Sequence, residues 1–293
     1  MKHVCSKHQQ YPKGVPVGII MDKKLSNATF WTPSQKSLPD VIKFLLLTGV
    51  ILFLIYRGSQ QTGYHWQWYR IPKFILSLEN GSIIPGPLLQ GLWITLNITI
   101  ISFILTILFG LVTAVLRLSD SIIARGLSRG YLEVIRNTPL LVQLFFIYFV
   151  ISPVLGVHRF FSAVLALSLF EGAYASEIFR AGILSVHHGQ WEAAQGLGLS
   201  MRQTYQHIIF PQGVRKMLPP LTGQTISLIK DSALVSTIAI SDLTLQGQAI
   251  IAETFLAFEI WFTVAAIYLL VTLTLSLVSS WVEKKMNLRS KRS

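Results

Sequence analysis

The chain has 293 residues, 52% of them hydrophobic and only 13% charged, with a mean hydropathy of +0.54. Soluble domains carry about 25% charged residues, so a water-soluble fold, which would have to hide far too much apolar surface, is excluded. The net charge of +12 invites a nucleic-acid reading, but the placement of that charge between apolar runs argues against it.

Residues 1–40 are polar and irregular, with prolines at 12, 16, 33 and 39, and read as a tail with little stable structure. The apolar stretch Val15–Met21 has no cleavage pattern after it and is not a signal peptide. Met21-Asp22-Lys23-Lys24 resembles a natural start, so residues 1–20 read as an upstream extension. The lone Cys5 permits no intrachain disulfide.

Val41–Tyr56 is a short apolar run containing Lys43; it reads as an uncleaved anchor helix crossing the membrane or as the core of a signal peptide, and the first is favoured because Arg57-Gly58-Ser59-Gln60 lacks a cleavage site. Residues 57–87 form an outer segment in which Tyr64, Trp66, Trp68 and Tyr69 suit the headgroup level, where one ring edge is wet and the other apolar; a sugar or solute site is the alternative use of such rings. A spanning helix needs about 20 apolar residues. Leu88–Leu116, Thr138–Val157, Phe160–Ile178, Leu218–Ile240 and Ile260–Val282 meet that need. They are too long and too evenly apolar for the strands of a membrane barrel.

The fold class is therefore an all-α polytopic membrane protein. Between the first two of these runs, Arg117–Arg136 reads as a basic loop, and Thr138-Pro139 as the cap and first-turn proline of the next helix. Residues 284–293 are a basic tail. With six spans and both ends inside, the outer segments carry only Arg57, Arg70, Lys73 and Arg159 among the basic residues. That asymmetry is the positive-inside pattern and makes the C-terminus cytoplasmic. The basic excess is topological, with attraction to anionic membrane lipid as a secondary effect and no nucleic-acid partner.

The polar connection 187–211 carries the most specific pattern. Glu192-Ala193-Ala194 is followed at fixed spacing by Gly198, Ile208 and Pro211. Gln190–Leu197 reads as a short helix broken by Gly196 and Gly198. Ser200 caps a second, Met201–Ile209, which Pro211 stops. Small Ala193 and Ala194 let a partner backbone approach. Glu192 sits near a helix start, where the helix dipole favours a carboxylate, and Arg202 and Gln203 add polar contacts. An ordinary amphipathic connector would need no such spacing.

This loop resembles the EAA loop of membrane subunits of binding-protein-dependent ABC importers. The likeness extends to Tyr131–Gln143, Gly172–Ile183 and Ile226–Ser236, which are similar to the second, third and fourth core helices of the histidine/glutamine-type permeases. The resemblance implies a five-helix type I core over residues 88–283, with Val41–Tyr56 added as a sixth helix. It implies a permease subunit in a bacterial cytoplasmic (inner) membrane, importing an amino acid delivered by an extracytoplasmic solute-binding protein. A second permease subunit, identical or related, would complete the path. A separate ABC ATPase would hold ATP and Mg and dock at Glu192, Ala193, Ala194, Gly198, Arg202, Ile208 and Pro211. The chain itself has no G-x-x-x-x-G-K-[ST] phosphate loop, so it is not expected to be an enzyme or to bind a cofactor.

Charged residues inside spans need a partner or a wet cavity. Glu171 falls near mid-span, Glu177 and Arg180 share a helix face, and Lys230-Asp231 lies in the fourth core span. An amino acid carries an ammonium and a carboxylate. Glu171 and Asp231 suit the first and Lys230 the second, with structural pairing the alternative, favoured for Glu177 with Arg180. His187 and His188 have no third ligand and read as a solvated pair rather than a metal site. Glu253 and Glu259 read as outer-face residues, either contacting the binding protein or simply surface charges. The alternatives are an ion-coupled secondary transporter or channel, which leaves the Glu192–Pro211 spacing unexplained, and an assembly protein without a path, which leaves the buried charges unexplained. No internal repeat is visible, which argues against the inverted-repeat transporters.

Overall fold

The computed structural model describes residues 37–61, 63–79 and 82–290. Expectations placed on Cys5, the Met21 start and residues 1–36 lie outside that range, as do Lys291 and Arg292. The described residues divide into two units, one ending at His65 and one beginning at Trp66.

The first unit contributes helix α1, Ser37–Gln61, longer at both ends than the predicted Val41–Tyr56. Its apolar window Val41–Gly58 is long enough to cross a bilayer, and none of that window is buried within the chain.

The second unit begins with a 3-10 turn at Trp68–Arg70, a short helix α2 (Pro72–Ile75) and an antiparallel pair, β1 (Leu76–Glu79) with β2 (Ser82–Pro85). Two long helices follow the sequence runs closely, α3 (Pro87–Leu118) and, further on, α7 (Arg159–Leu184). Between them the predicted basic loop is in fact helix α4, Ile122–Arg136, capped by Ser121. Its scattered arginines masked a three-sided helix: Ser128 and Leu132 are buried, while Ile123, Leu127 and Val134 are exposed. Helix α5 (Leu140–Phe146), a π turn at Ile147–Ile151 and α6 (Ser152–Leu155) turn away from α4 by 106°. Pro139 occupies the cap position of α5 rather than its first turn, because its φ of −63° and ψ of 139° are extended.

After α7 come α8 (His188–Gly196), α9 (Met201–Thr204), a π turn at Tyr205–Ile209 and α10 (Phe210–Asp231). A 3-10 turn at Ser232–Ile238 leads to α11 (Leu243–Thr254) and α12 (Ala257–Ser290). The basic end predicted as a tail from residue 284 is therefore helical to Ser290.

Among the described residues four helices are long and apolar enough to span a membrane, or six if each of two bent assemblies counts as one. Helix association in lipid depends on close backbone approach and small residues. The α3–α7 pair shows this. The buried side of α3 runs Thr95, Thr99, Ser102, Thr106, Gly110 and Thr113, and α7 answers with Ala163, Ala166, Gly172, Ala173 and Ser176. A Cβ at Gly110 would lie 2.9 Å from that of Ala175, so nothing larger than glycine fits there. Apolar packing then spreads from Ile98, Leu144 and Leu167 to Leu228 and Val235 of α10 and the turn after it. At the Pro87 end, Leu88, Leu243, Ile250 and Ile260 form a second cluster. At the Arg117 end, Ala114, Phe179 and Met217 form a third.

Candidate coupling elbow and buried charges

Helices α8 and α9 make a compact elbow between α7 and α10. His187 opens α8 by accepting the Gly189 N–H on Nδ1 at 3.0 Å, and His188 Nδ1 lies 3.1 Å from Glu192 Oε1. Both histidines are exposed, as a solvated pair would be, while His187 caps α8 and His188 lies against Glu192. Among the described residues no His, Cys, Asp or Glu group is arranged to hold a metal. At the other end of α8, Gly198 N–H donates to the Gln195 carbonyl at 2.9 Å and Leu199 N–H to that of Ala194 at 3.1 Å. This pair of hydrogen bonds is a Schellman cap and needs a left-handed residue; Gly198 has φ +71°. Ser200 and Gln203 then form a reciprocal capping box that starts α9.

Contacts among the described residues tie α8 to the segment after it and the end of α7 to α10. The ring of Trp191 packs edge-on to Tyr205, Gln212 Nε2 donates to Gln190 Oε1 at 3.2 Å, and Lys216 Nζ donates to the Ser185 carbonyl at 2.6 Å.

Pro211 does not stop the second helix. Helical backbone runs from Met201 through α10, and the preceding turn widens, with Phe210 N–H donating to the Tyr205 carbonyl. A π turn alters the helical register just where a proline ring lacks its N–H and would crowd the carbonyl four residues back.

Of the residues expected to dock a partner, Glu192, Ala193, Gly198, Arg202 and Pro211 are exposed, and Ile208 is half-buried. Ala194 is 2% exposed and faces the chain's own interior, so it packs the elbow instead of presenting a surface. Glu192 is the fifth residue of α8, beyond the first turn, so its partner is His188 rather than the helix dipole. Leu197 and Met201, 77% and 57% exposed, add large apolar side chains to this surface. Sequence reasoning passed over them, although two large apolar residues in a polar connection are a usable sign.

The charges within spans fall into two groups. Glu171 of α7 is buried; one oxygen accepts a hydrogen bond from Gln224 of α10, the Asp231 carboxyl lies against the same group, and its Oε1 has no hydrogen-bond partner. Lys230 is exposed and Asp231 half-buried at the end of α10. Glu177 lies towards the elbow and pairs with Arg117 of α3 (2.6 Å), Arg136 of α4 (3.1 Å) and Arg180 of its own helix (3.3 Å). Glu171 and Asp231 thus come together, whereas Glu177 belongs to a separate ionic cluster.

Glu259, expected on the outer surface, is fully buried at the start of α12 and accepts the Gln67 N–H at 2.7 Å. Beside Gln67, the rings of Trp66 and Trp68 stack on each other at 4°, and both tilt against Phe262 of α12 at 42–43°. Glu253 is exposed.

Residues 106–288 match the family of the binding-protein-dependent transport system inner membrane component. This chain belongs to that family. It is the polytopic permease component of an ABC-type importer in an inner membrane, and ATP hydrolysis belongs to a separate subunit. Among its relatives, it is 40% identical over 204 residues to the glutamine transport system permease protein GlnP of Escherichia coli K12, covering 69% of this chain and 93% of that protein. It is also 40% identical over 223 residues to the L-cystine transport system permease protein TcyB of Bacillus subtilis 168, covering 72% and 95%. A crystal structure of an amino acid ABC transporter with histidines matches with TM-score 0.64 and 38% identity, over 68% of this chain and 94% of that one.

Proposed function

We propose that this chain forms the translocation path of an ATP-driven importer of polar amino acids. Its ATPase engages α8–α9, and its path is lined in part by Glu171, Asp231 and Lys230. The observation that carries the docking half is the elbow itself: it is rigidly capped at both helix starts and at the Gly198 turn, yet Glu192, Ala193, Leu197, Met201 and Arg202 are left exposed. A connector with no partner has no use for that combination. The amino-acid class is supported by the relatives' substrates, glutamine and L-cystine, and by the structure of the amino acid transporter.

Within this reading, α3 to α12 supply a five-helix core in which each bent assembly counts as one span, and α1 is an addition. The basic residues at Arg117, Arg125, Arg129, Arg202 and Arg215 orient the elbow and the C-terminus to the cytoplasm. A second permease subunit completes the path, and an extracytoplasmic solute-binding protein delivers the substrate. ATP-driven closure of the ATPase pair moves the elbow and biases the inward–outward equilibrium.

The test is substrate-stimulated ATP hydrolysis in proteoliposomes holding the chain, its ATPase and its binding protein, across a panel of amino acids. Stimulation by one or a few amino acids, lost in Glu192→Ala, is the expected result. Uptake that persists without ATPase, or that collapses with an ion gradient, would replace this reading with an ion-coupled transporter built around Glu171 and Asp231.

A further inference from the structure

Glu177 gathers guanidinium groups from three helices. Arg117 lies in the last turn of α3 and Arg136 in the last turn of α4, while Glu177 and Arg180 belong to α7. Arg117 Nη1 and Arg136 Nη1 both donate to Glu177 Oε1, at 2.6 and 3.1 Å, and Arg180 Nε donates to Oε2 at 3.3 Å. Among the described residues, every salt bridge made by these arginines ends on Glu177. Both carboxylate oxygens are taken, which leaves Glu177 poorly suited to meet a substrate ammonium.

The position of the cluster matters as much as its charge. Helix α7 continues from Glu177 without a break to Leu184, and Ser185 then leads into α8. The Ser185 carbonyl also holds Lys216 of α10. Displacement of α8 is therefore delivered to α7 through Ser185, as well as to α10 through Gln190–Gln212 and the Trp191–Tyr205 contact. Arg180 alone would give a local pair along one helix. Arg117 and Arg136 make the pair an interhelical tie, and Arg136 further packs over the Tyr174 ring, 5.7 Å from its centroid. One carboxylate balances three cations, so its removal leaves like charges facing each other across the α3–α4–α7 junction.

We infer that Glu177 is a positioning residue that binds the ends of α3, α4 and α7 nearest the elbow into one body, so that movement of α8 also carries α3 and the α4–α5 bend. This rests on the transport reading above, with the ATPase engaging α8–α9.

The test uses the reconstituted complex of permease, ATPase and binding protein, with two readouts. The first is ATP hydrolysed per amino acid imported. In Glu177→Gln it rises about tenfold while ATPase co-purification is unchanged, and in the charge-conserving Glu177→Asp it stays within about threefold of the parent. The second is the distance between spin labels at Ser119→Cys and Leu184→Cys on a Cys5→Ser background. It is the same in nucleotide-free and ATP-bound parent complexes, and becomes broad and state-dependent in Glu177→Gln. An unchanged ATP ratio in Glu177→Gln overturns the inference, as does a parent label distance that shifts between states. If Glu177→Gln does not accumulate in the membrane, Arg136→Gln leaves the Arg117 tie and the local Arg180 pair and carries the test, with an expected rise of about threefold; no rise counts against the inference. An ATPase that fails to bind the parent complex would instead sink the docking reading, while retained ATPase with an unchanged ratio sinks only the role given to Glu177.

Discussion

The ring of Trp191 meets that of Tyr205 edge-on, with centroids 5.2 Å apart and planes at 85°. This contact joins α8 to the π turn that leads into α10, and it fixes the angle at which the elbow presents Glu192 and Arg202. Edge-to-face aromatic pairs contribute about 0.5–1.5 kcal/mol beyond the area they bury. Trp191→Ala is therefore expected to weaken ATPase binding about three- to tenfold by relaxing the elbow, and Trp191→Phe to weaken it less. Titrating ATPase onto the reconstituted permease measures both. Equal affinity for Trp191→Ala and the parent would show that the pair does not set the elbow.

Gly198 occupies the left-handed position of the Schellman cap, with φ +71° and no heavy atom near enough to obstruct a Cβ. A substitution there meets backbone strain alone, about 1–2 kcal/mol for an ordinary L-residue. Gly198→Ala should lower ATPase affinity by up to about tenfold, with Gly198→Asn closer to the parent because asparagine tolerates this conformation. Amide hydrogen exchange at Leu199, whose N–H is bonded to the Ala194 carbonyl, should quicken in the same order. If Ala and Asn behave alike, strain at this residue is not what holds the turn.

The long spans were legible because apolar runs of this length have few other uses: α3, α7 and α12 fall over Leu88–Leu116, Phe160–Ile178 and Ile260–Val282. The Ser200 cap and the break at Gly198 were legible because capping chemistry is local. Helix α4 was not, since Arg125, Arg129 and Arg136 read as loop charges until tertiary contacts with α3 and α7 show which side of the helix is buried. The β1–β2 pair was passed over, although Asn80-Gly81 is a common hairpin dipeptide. Pro211 misled because the turn before it widens and takes up the ring, so the helix continues where a proline ordinarily ends it. Ala194 and Glu259 misled for a shared reason. A motif or a topology says which segment a residue belongs to, but not which way its side chain faces.

Two glycines at helix crossings should respond differently to the same added methyl. A Cβ at Gly182 would lie 2.2 Å from Cγ of Met217, a flexible side chain. A Cβ at Gly91 would lie 2.8 Å from the Asp242 carbonyl oxygen and 2.8 Å from Cγ of Gln246, so part of its obstacle is backbone. Overpacking of this kind costs about 1–3 kcal/mol. Both Gly182→Ala and Gly91→Ala should lower the thermal midpoint of the purified chain in detergent. Adding Met217→Ala should recover part of the Gly182→Ala loss, whereas Gln246→Ala should recover little of the Gly91→Ala loss. Equal rescue at the two sites would mean that the α3–α11 backbone contact yields more readily than its spacing implies.

Glu171 stands at the middle of α7 with one oxygen bonded by Gln224, the Asp231 carboxyl alongside and Oε1 left without a hydrogen-bond partner. A charged residue at the centre of a span costs about 2.5–3.5 kcal/mol on insertion scales, so its retention calls for a ligand or a structural partner. Gln224 supplies a neutral hydrogen bond but no balancing charge. Asp231 adds a second acidic group and no cation, so an incoming ammonium is the partner that suits the pair. Glu171→Gln keeps the volume and can still bond Gln224 while removing the charge. A hydrogen bond to a charged group contributes about 1.5–3 kcal/mol, so KM for uptake should rise about ten- to a hundredfold, with ATPase retention and thermal midpoint near the parent's. Glu259→Gln is the control, because Glu259 is equally buried but lies at the start of α12 and is engaged by the Gln67 backbone. It should lower the thermal midpoint with little change in KM. A Glu171→Gln complex that takes up its amino acid with the parent's KM would remove Glu171 from the path and leave it a packing role between α7 and α10.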